Sequence, residues 1–279
     1  IEYAFGSISK EMPEGAKSRE NQDSLLIDIR KTFGVFDGMG GLTDGHIAAQ
    51  MARDYIATHL SEISDGMEME LAKSILSEIV KGADMAVFKK SLKVSNGFAE
   101  HYEGMGTTVS ILKIHTDKRG RNWALIANMG DSRIYKIKKD GKTEQITVDD
   151  DYLNELSELS KKEKARIAKN LSEAKTLGEL NETEILYFKN RNFIGKSLGE
   201  GVGFSGAFSV PVEKGDHFLI TSDGIHDNLT ATEIEIIVKN SKTLEETIEN
   251  LISASLGRSR EKVLRSKPDD MSAVMVEIK

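Results

Sequence analysis

The residues in this sequence best suited to chemistry are aspartates in turns beside apolar runs. Phe36-Asp37-Gly38-Met39-Gly40-Gly41, Gly130-Asp131-Ser132-Arg133, Thr221-Ser222-Asp223-Gly224 and Pro268-Asp269-Asp270-Met271-Ser272 each set a carboxylate against such a run. Asp23, in Arg19-Glu20-Asn21-Gln22-Asp23, precedes another. One Asp-Gly pair is ordinary turn chemistry. Several at strand ends are different, because they can converge on one rim however far apart they lie in the chain.

Such a rim calls for cations. Two carboxylates ~4 Å apart at an effective dielectric near 20 oppose one another by about 4 kcal/mol, so a cluster of ionised aspartates needs a neutralising partner. The chain has no cysteine and these motifs contain no histidine, and an all-oxygen donor set selects Mg²⁺ or Mn²⁺ over zinc or copper. Asp37-Gly38 can offer a carboxylate and a main-chain carbonyl together, since glycine has no Cβ to keep an ion away. Two ions a few ångströms apart would bind a bridging water, lower its pKa toward neutrality and present hydroxide to a phosphoester.

The elements that must position these turns show in the hydropathy pattern. Phe33 to Phe36, Val109 to Ile114, Trp123 to Asn128, Ile134 to Ile137, His217 to Thr221 and Ser272 to Ile278 read as strands. Several are apolar on both parities, which predicts sheets covered on both faces. Helical spacing runs from Asp44 to Ile63 and again through Leu71, Ile75, Leu76, Ile79, Ala83, Met85 and Val87, and a second pair spans about Ala231 to Lys239 and Leu244 to Leu256. The order is β, two helices, a run of β, a charged insert, β, two helices, β. The insert, about 149–191, contains Lys161-Lys162-Glu163-Lys164-Ala165-Arg166 and only sparse apolar positions at Leu153, Leu156, Leu159, Ile167 and Leu171. It reads as a solvated helical flap without a core of its own, on a single domain of residues 1–279.

Composition narrows the classes. With 45 acidic against 38 basic residues and a net charge of -7, nucleic acid is not an expected partner. The lack of cysteine excludes disulfides, thiolate zinc sites, iron–sulfur clusters and cysteine nucleophiles. No apolar run approaches the ~20 residues that cross a bilayer, and the first residues lack the basic start and apolar core of a signal peptide. A cytoplasmic protein away from membranes is expected, although a chain starting at Ile1 leaves room for an upstream segment.

In order and spacing, Asp37-Gly38-Met39-Gly40-Gly41, Gly104-Met105-Gly106-Thr107-Thr108, Gly130-Asp131-Ser132-Arg133, Ser222-Asp223-Gly224 and Asp269-Asp270-Met271-Ser272 resemble the signature of metal-dependent type 2C (PPM) serine/threonine protein phosphatases, particularly bacterial ones. The resemblance implies an α/β (α+β) four-layer sandwich, two central antiparallel β-sheets flanked by antiparallel helix pairs. It also implies hydrolysis of phosphoserine and phosphothreonine by a metal-bridging water, phosphorylated proteins as substrates, and an opposing serine/threonine kinase. By the same resemblance, Asp37 bridges two Mn²⁺ or Mg²⁺ ions with the Gly38 carbonyl on one of them. Asp223 and Asp269 complete the first ion, Asp23 contacts the centre through water, and Asp131 with Asp223 holds a weaker third ion. Arg19 is the implied phosphate clamp. The chain departs from the family pattern at Gln22, where an acidic residue is usual, and at Asp270, where the usual residue is Asn. Alignment of that last motif makes Asp269 the ligand.

Other candidates read as structural. Gly106-Thr107-Thr108 fits a strand start, Arg133 a salt-bridge partner, and Asp149-Asp150-Asp151 the charged amino end of the insert. His46 and His226 are candidate proton donors, although histidines at helix ends more commonly cap or pack. Two alternatives to a phosphoprotein phosphatase remain open at this level. One is a catalytically silent relative that binds phosphoproteins or regulates a kinase, a class that tends to lose core aspartates present here. The other is a phosphatase of a small phosphorylated metabolite.

Overall fold

The computed structural model describes residues 1–9, 20–39, 44–94, 104–201 and 203–279. Its first half runs β1 (Glu2–Ile8), β2 (Asp23–Asp28), β3 (Thr32–Met39), α1 (Gly45–His59), α2 (Met69–Val94), β4 (Gly106–Thr107), β5 (Val109–Thr116), β6 (Asn122–Met129), β7 (Arg133–Ile137) and β8 (Thr143–Gln145). After the short insert helices α3 (Tyr152–Glu155), α4 (Lys161–Glu173) and α5 (Glu182–Lys189) come β9 (Phe208–Pro211), β10 (His217–Thr221), α6 (Asp223–His226), α7 (Ala231–Asn240), α8 (Leu244–Ser259) and β11 (Met271–Glu277).

The strands form two antiparallel sheets, ordered β1-β11-β10-β7-β8 and β2-β3-β5-β6-β9, with β4 added beside β3. Side-chain alternation makes the layers. Phe33 and Val35 of β3, Leu112 and Ile114 of β5, and Ala124 and Ile126 of β6 meet Phe218, Ile220, Val274 and Val276 of the opposite sheet in one buried cluster. The other parity of the same strands, with Phe36, Val109, Ile111 and Leu125, packs against α1 and α2. Leu219, Ala273 and Met275 do the same against α7 and α8. Strands buried on both faces must be apolar on both parities, which is why they were legible. The architecture is the expected sandwich, with helix pairs outside and two sheets inside.

Three differences from the sequence reading stand out. β1 is an edge strand with Tyr3 and Phe5 exposed, and β2 is also an edge, so both lack the double-sided apolar pattern. β8 and β9 are too short to give a periodic signal. The insert, expected to lack a core, has two small ones. Leu153, Ile167 and Tyr187 form one, and Ala174, Leu180 and Phe188 form another with Leu264 against it. Tyr187 and Phe188 supply the surface that the sparse Leu and Ile positions could not. Capping boxes at Ser160/Glu163 and Asn181/Glu184 fix the starts of α4 and α5.

Candidate active site

Antiparallel register places Asp23, the first residue of β2, directly opposite Asp37 near the end of β3. Like charges in such cross-strand positions repel. Asp131 follows β6, Asp223 opens α6 immediately after β10, and Asp269 precedes β11, so strand ends from both sheets deliver the five aspartates to one edge of the sandwich. Their electrostatics reflect this shared edge. Burial pushes the Asp37 carboxyl well above the usual range, and Asp23, Asp223, Asp269 and Asp131 push it further. Asp131 is raised by burial and by Asp223. Asp223 is raised by burial although Lys267 acts against the shift. Asp23 is pushed up to about 7, by burial first and by Asp270 and Asp223, against hydrogen bonds from Ser272 and Ser222 that hold it down.

Neighbouring groups hold the backbone of this edge. The Thr108 hydroxyl accepts from Asp37 N at 3.0 Å, and Thr108 N and the Thr107 hydroxyl both donate to Asp37 O, at 2.9 and 3.0 Å. The Gly106-Thr107-Thr108 segment is therefore a strand start, as expected, and the cradle of Asp37 as well. Ser222 Oγ donates to Asp23 Oδ2 at 2.8 Å and accepts from Ser272 N at 3.0 Å, tying the carboxylate of β2 to the sheet of β10 and β11. Gly38 N donates to Gln22 O, and a Cβ on Gly38 would collide with the Gly45 carbonyl, so only glycine lets β3 pass the start of α1 this closely.

The donor set fits divalent cations. Oδ1 of Asp23, of Asp131 and of Asp223 is buried with no hydrogen-bond partner. Buried carboxylate oxygens without donors are costly and uncommon. Three of them in an all-oxygen cluster suit Mg²⁺ or Mn²⁺. The chelating geometry itself is not preassembled, since no group of three acidic or histidine side chains among the described residues is gathered tightly enough to hold an ion. The reasons are physical. Like charges settle apart, and the Lys267 ammonium stands among them, bonded to Asp223 and 3.0 Å from Asp227 and 3.4 Å from Asp269.

Asp269 and Asp270 separate cleanly. Asp269 points toward Lys267 and Asp223, whereas Asp270 is 3% exposed and its Oδ2 accepts from Gln22 N at 2.8 Å. Arg19, with Gly40 and Gly41, lies outside the described residues. Arg133 is the ion-pair partner expected, gripping Asp149 with contacts of 2.6 and 2.9 Å. The Asp149-Asp150-Asp151 run divides its work: Asp150 accepts from Gly130 N, and Asp151 caps α3. His46 pairs with Glu20 at 3.1 Å. His226 is 2% exposed and shares a hydrogen bond with Thr221, and burial first and then nearby Arg133 push its imidazole well below the usual range.

Lys267 and Asp227 were missed. Asp227 lies one helical turn after Asp223, the spacing that puts two side chains on one face, and that signal was available. The charges of Lys267 and Arg191 overcome the effect of burial and hold the Asp227 carboxyl below the usual range. Lys267, in a loop beside a proline, reads in sequence only as a solvated charge.

Residues 16–266 match the protein phosphatase 2C family. The chain is 27% identical over 254 residues to protein phosphatase PhpP of Streptococcus pneumoniae, covering 85% of this chain and 86% of that one. It is 26% identical over 235 residues to the serine/threonine phosphatase stp of Listeria monocytogenes, covering 84% and 80%. The fold is similar to the crystal structure of the catalytic domain of serine/threonine protein phosphatase PstP in complex with two manganese ions, with a TM-score of 0.71 at 21% identity over 100% of this chain and 98% of that one. With the aspartate rim and the sandwich already in place, the match along the chain settles the family: this protein belongs to the protein phosphatase 2C family.

Proposed function

We propose that the protein is a Mn²⁺- or Mg²⁺-dependent phosphatase that removes phosphate from phosphoserine and phosphothreonine in proteins. The observation that carries this is the gathering of five aspartates from two sheets at one edge, three with orphaned buried oxygens. Asp37, the Gly38 carbonyl, Asp223 and Asp269 would hold two ions, Asp23 would contact them through water, and Asp131 with Asp223 would hold a weaker third. Bound there, such ions supply Lewis-acid activation of water and neutralise charge on the phosphoryl group.

The chain's own residues do the rest. Thr107 and Thr108 fix the Asp37 backbone, and Ser222 orients Asp23 across the sheet interface. Arg19 is assigned to the phosphate, since a guanidinium donates to two phosphate oxygens at once. No thiol exists to form a phosphocysteine. Phosphoprotein substrates require a serine/threonine kinase to make them, and that kinase is the expected opposing partner. No helix among the described residues is long and apolar enough to cross a membrane, and the site of action proposed is the cytoplasm.

The test is a panel of phosphoserine, phosphothreonine and phosphotyrosine peptides assayed with Mn²⁺, Mg²⁺, Ca²⁺ and chelator. Turnover of the first two should require Mn²⁺ or Mg²⁺ and stop on chelation. Equal turnover in excess chelator, with metal removal verified, would refute the reading.

The insert is assigned a part in choosing protein substrates. Its base is fastened beside the site: Arg265, 4% exposed, donates to the carbonyls of Leu171 at the end of α4 and of His226 and Leu229 around α6, at 2.9, 2.7 and 3.2 Å. Shortening the outer part, within 156–166, leaves that fastening intact. It should change kcat/KM on a phosphoprotein while turnover of a small aryl phosphate stays within about twofold. Equal losses on both substrates would make the insert part of the catalytic scaffold.

A further inference from the structure

Lys267 is placed where an ion would be expected to bind. Its side chain is 11% exposed and its ammonium bonds Asp223, with Asp227 at 3.0 Å and Asp269 at 3.4 Å. Asp223 and Asp269 are ion-holding residues under the function proposed above, on which this inference rests. The backbone of Lys267 is clamped as well. Lys267 N donates to Asn228 Oδ1 at 3.0 Å, and its carbonyl accepts from Asn228 Nδ2 at 2.8 Å, with Asn228 fully buried. The ammonium is thus aimed into the carboxylates by a fixed main chain.

A lysine withdrawn from water is tolerated when carboxylates offset its desolvation. Here the arrangement also supplies a way out. Asp227 has a second cation, Arg191 from the end of the insert, at 3.5 Å. Asp223 and Asp269 pair with no other cation among the described residues. If the ammonium withdraws, Asp227 stays neutralised by Arg191, and only Asp223 and Asp269 are left for a newcomer.

We propose that Lys267 is a resident counter-ion of the metal centre: it holds Asp223 and Asp269 together without metal and must be displaced for a divalent ion to bind there. It therefore sets how much metal the site requires. The signature is a pair of opposite effects. Removing the ammonium should weaken the metal-free fold, where the carboxylates lose their neutralising partner, and strengthen metal binding, where the competitor is gone. A lysine with a packing role alone would lower both.

Lys267→Met keeps an unbranched apolar stem and removes the charge. In the full chain, calorimetric titration with Mn²⁺ should give a dissociation constant at least about tenfold lower than that of the unsubstituted protein, and thermal unfolding in chelator should give a lower Tm. An unchanged or weaker constant, with the unsubstituted protein binding normally, overturns the proposal while leaving the metal-dependent function standing. Absence of Mn²⁺ binding in both proteins overturns the two together. Should the variant not fold, the unsubstituted protein still decides: acylation of its amines with and without Mn²⁺, read by mass spectrometry, should show Lys267 labelled several-fold faster with metal, exposed Lys162 serving as the internal reference. Equal or slower labelling of Lys267 overturns the proposal.

Discussion

Asp269→Ala should lose nearly all metal-dependent phosphatase activity, while Asp270→Asn should keep it. The two residues are adjacent, yet their surroundings assign them opposite work. Asp269 faces Lys267 and Asp223 at the rim, whereas Asp270 turns inward and accepts from Gln22 N. Asn retains a carbonyl oxygen able to accept that bond and removes one of the charges that push the Asp23 carboxyl upward. Losing a partner one step removed from a metal costs ~10–100-fold in affinity or activity. Loss of a direct ligand should exceed that, so Asp269→Ala is expected to fall by more than ~100-fold in kcat/KM and Asp270→Asn by less than ~10-fold. The check is kcat/KM for both variants across a Mn²⁺ titration. An active Asp269→Ala beside a dead Asp270→Asn would move the ligand by one residue.

Arg133→Met is expected to be strongly destabilising. Arg133 and Asp149 have side chains 19% and 8% exposed, and the carboxylate also accepts from Gln145 Nε2 at 2.8 Å. Removing the guanidinium leaves a buried charge without its cation, which typically costs about 3–5 kcal/mol. For a domain of this size each kcal/mol lowers Tm by roughly 2–4 °C. The double variant Arg133→Met with Asp149→Leu should recover most of the loss, because an apolar pair of similar bulk can replace a buried ion pair at little cost. Thermal unfolding of the two variants decides the point, and a single variant within about 1 kcal/mol of the unsubstituted protein would show that the pair is not structurally important.

Much of this was readable beforehand, for identifiable reasons. Val274 and Val276 face the opposite sheet while Ala273 and Met275 face helices, so the segment had to be apolar throughout and announced itself as a covered strand. The aspartates were legible because turn residues at strand ends carry chemistry that does not depend on knowing the neighbours. What escaped notice depended on tertiary placement. The partner of Arg133 could not be named from Asp149-Asp150-Asp151, since those carboxylates go to three different places. Lys267 looked like any exposed lysine until Asn228 was seen to hold its main chain. The small cores of the insert depended on Tyr187 packing with Leu153 and Ile167 and on Phe188 packing with Ala174 and Leu180, which no count of leucines could foretell.

The pairing of β1 with β11, which sets Glu2 opposite Glu277, bears on the order in which the rim can form. The sheet that carries Asp223 cannot close until β11 has been made, because β11 lies between β1 and β10. Asp269 emerges just ahead of that strand. Contacts between distant parts of a chain form late and slowly, and growing chains expose unpaired edges while they wait. The sheet of β2, β3, β5, β6 and β9 needs no strand beyond Pro211, whereas the rim needs Asp269 as well. A chain cut short of Asp269 and β11 is therefore expected to lack both a closed sheet around β10 and a complete aspartate rim.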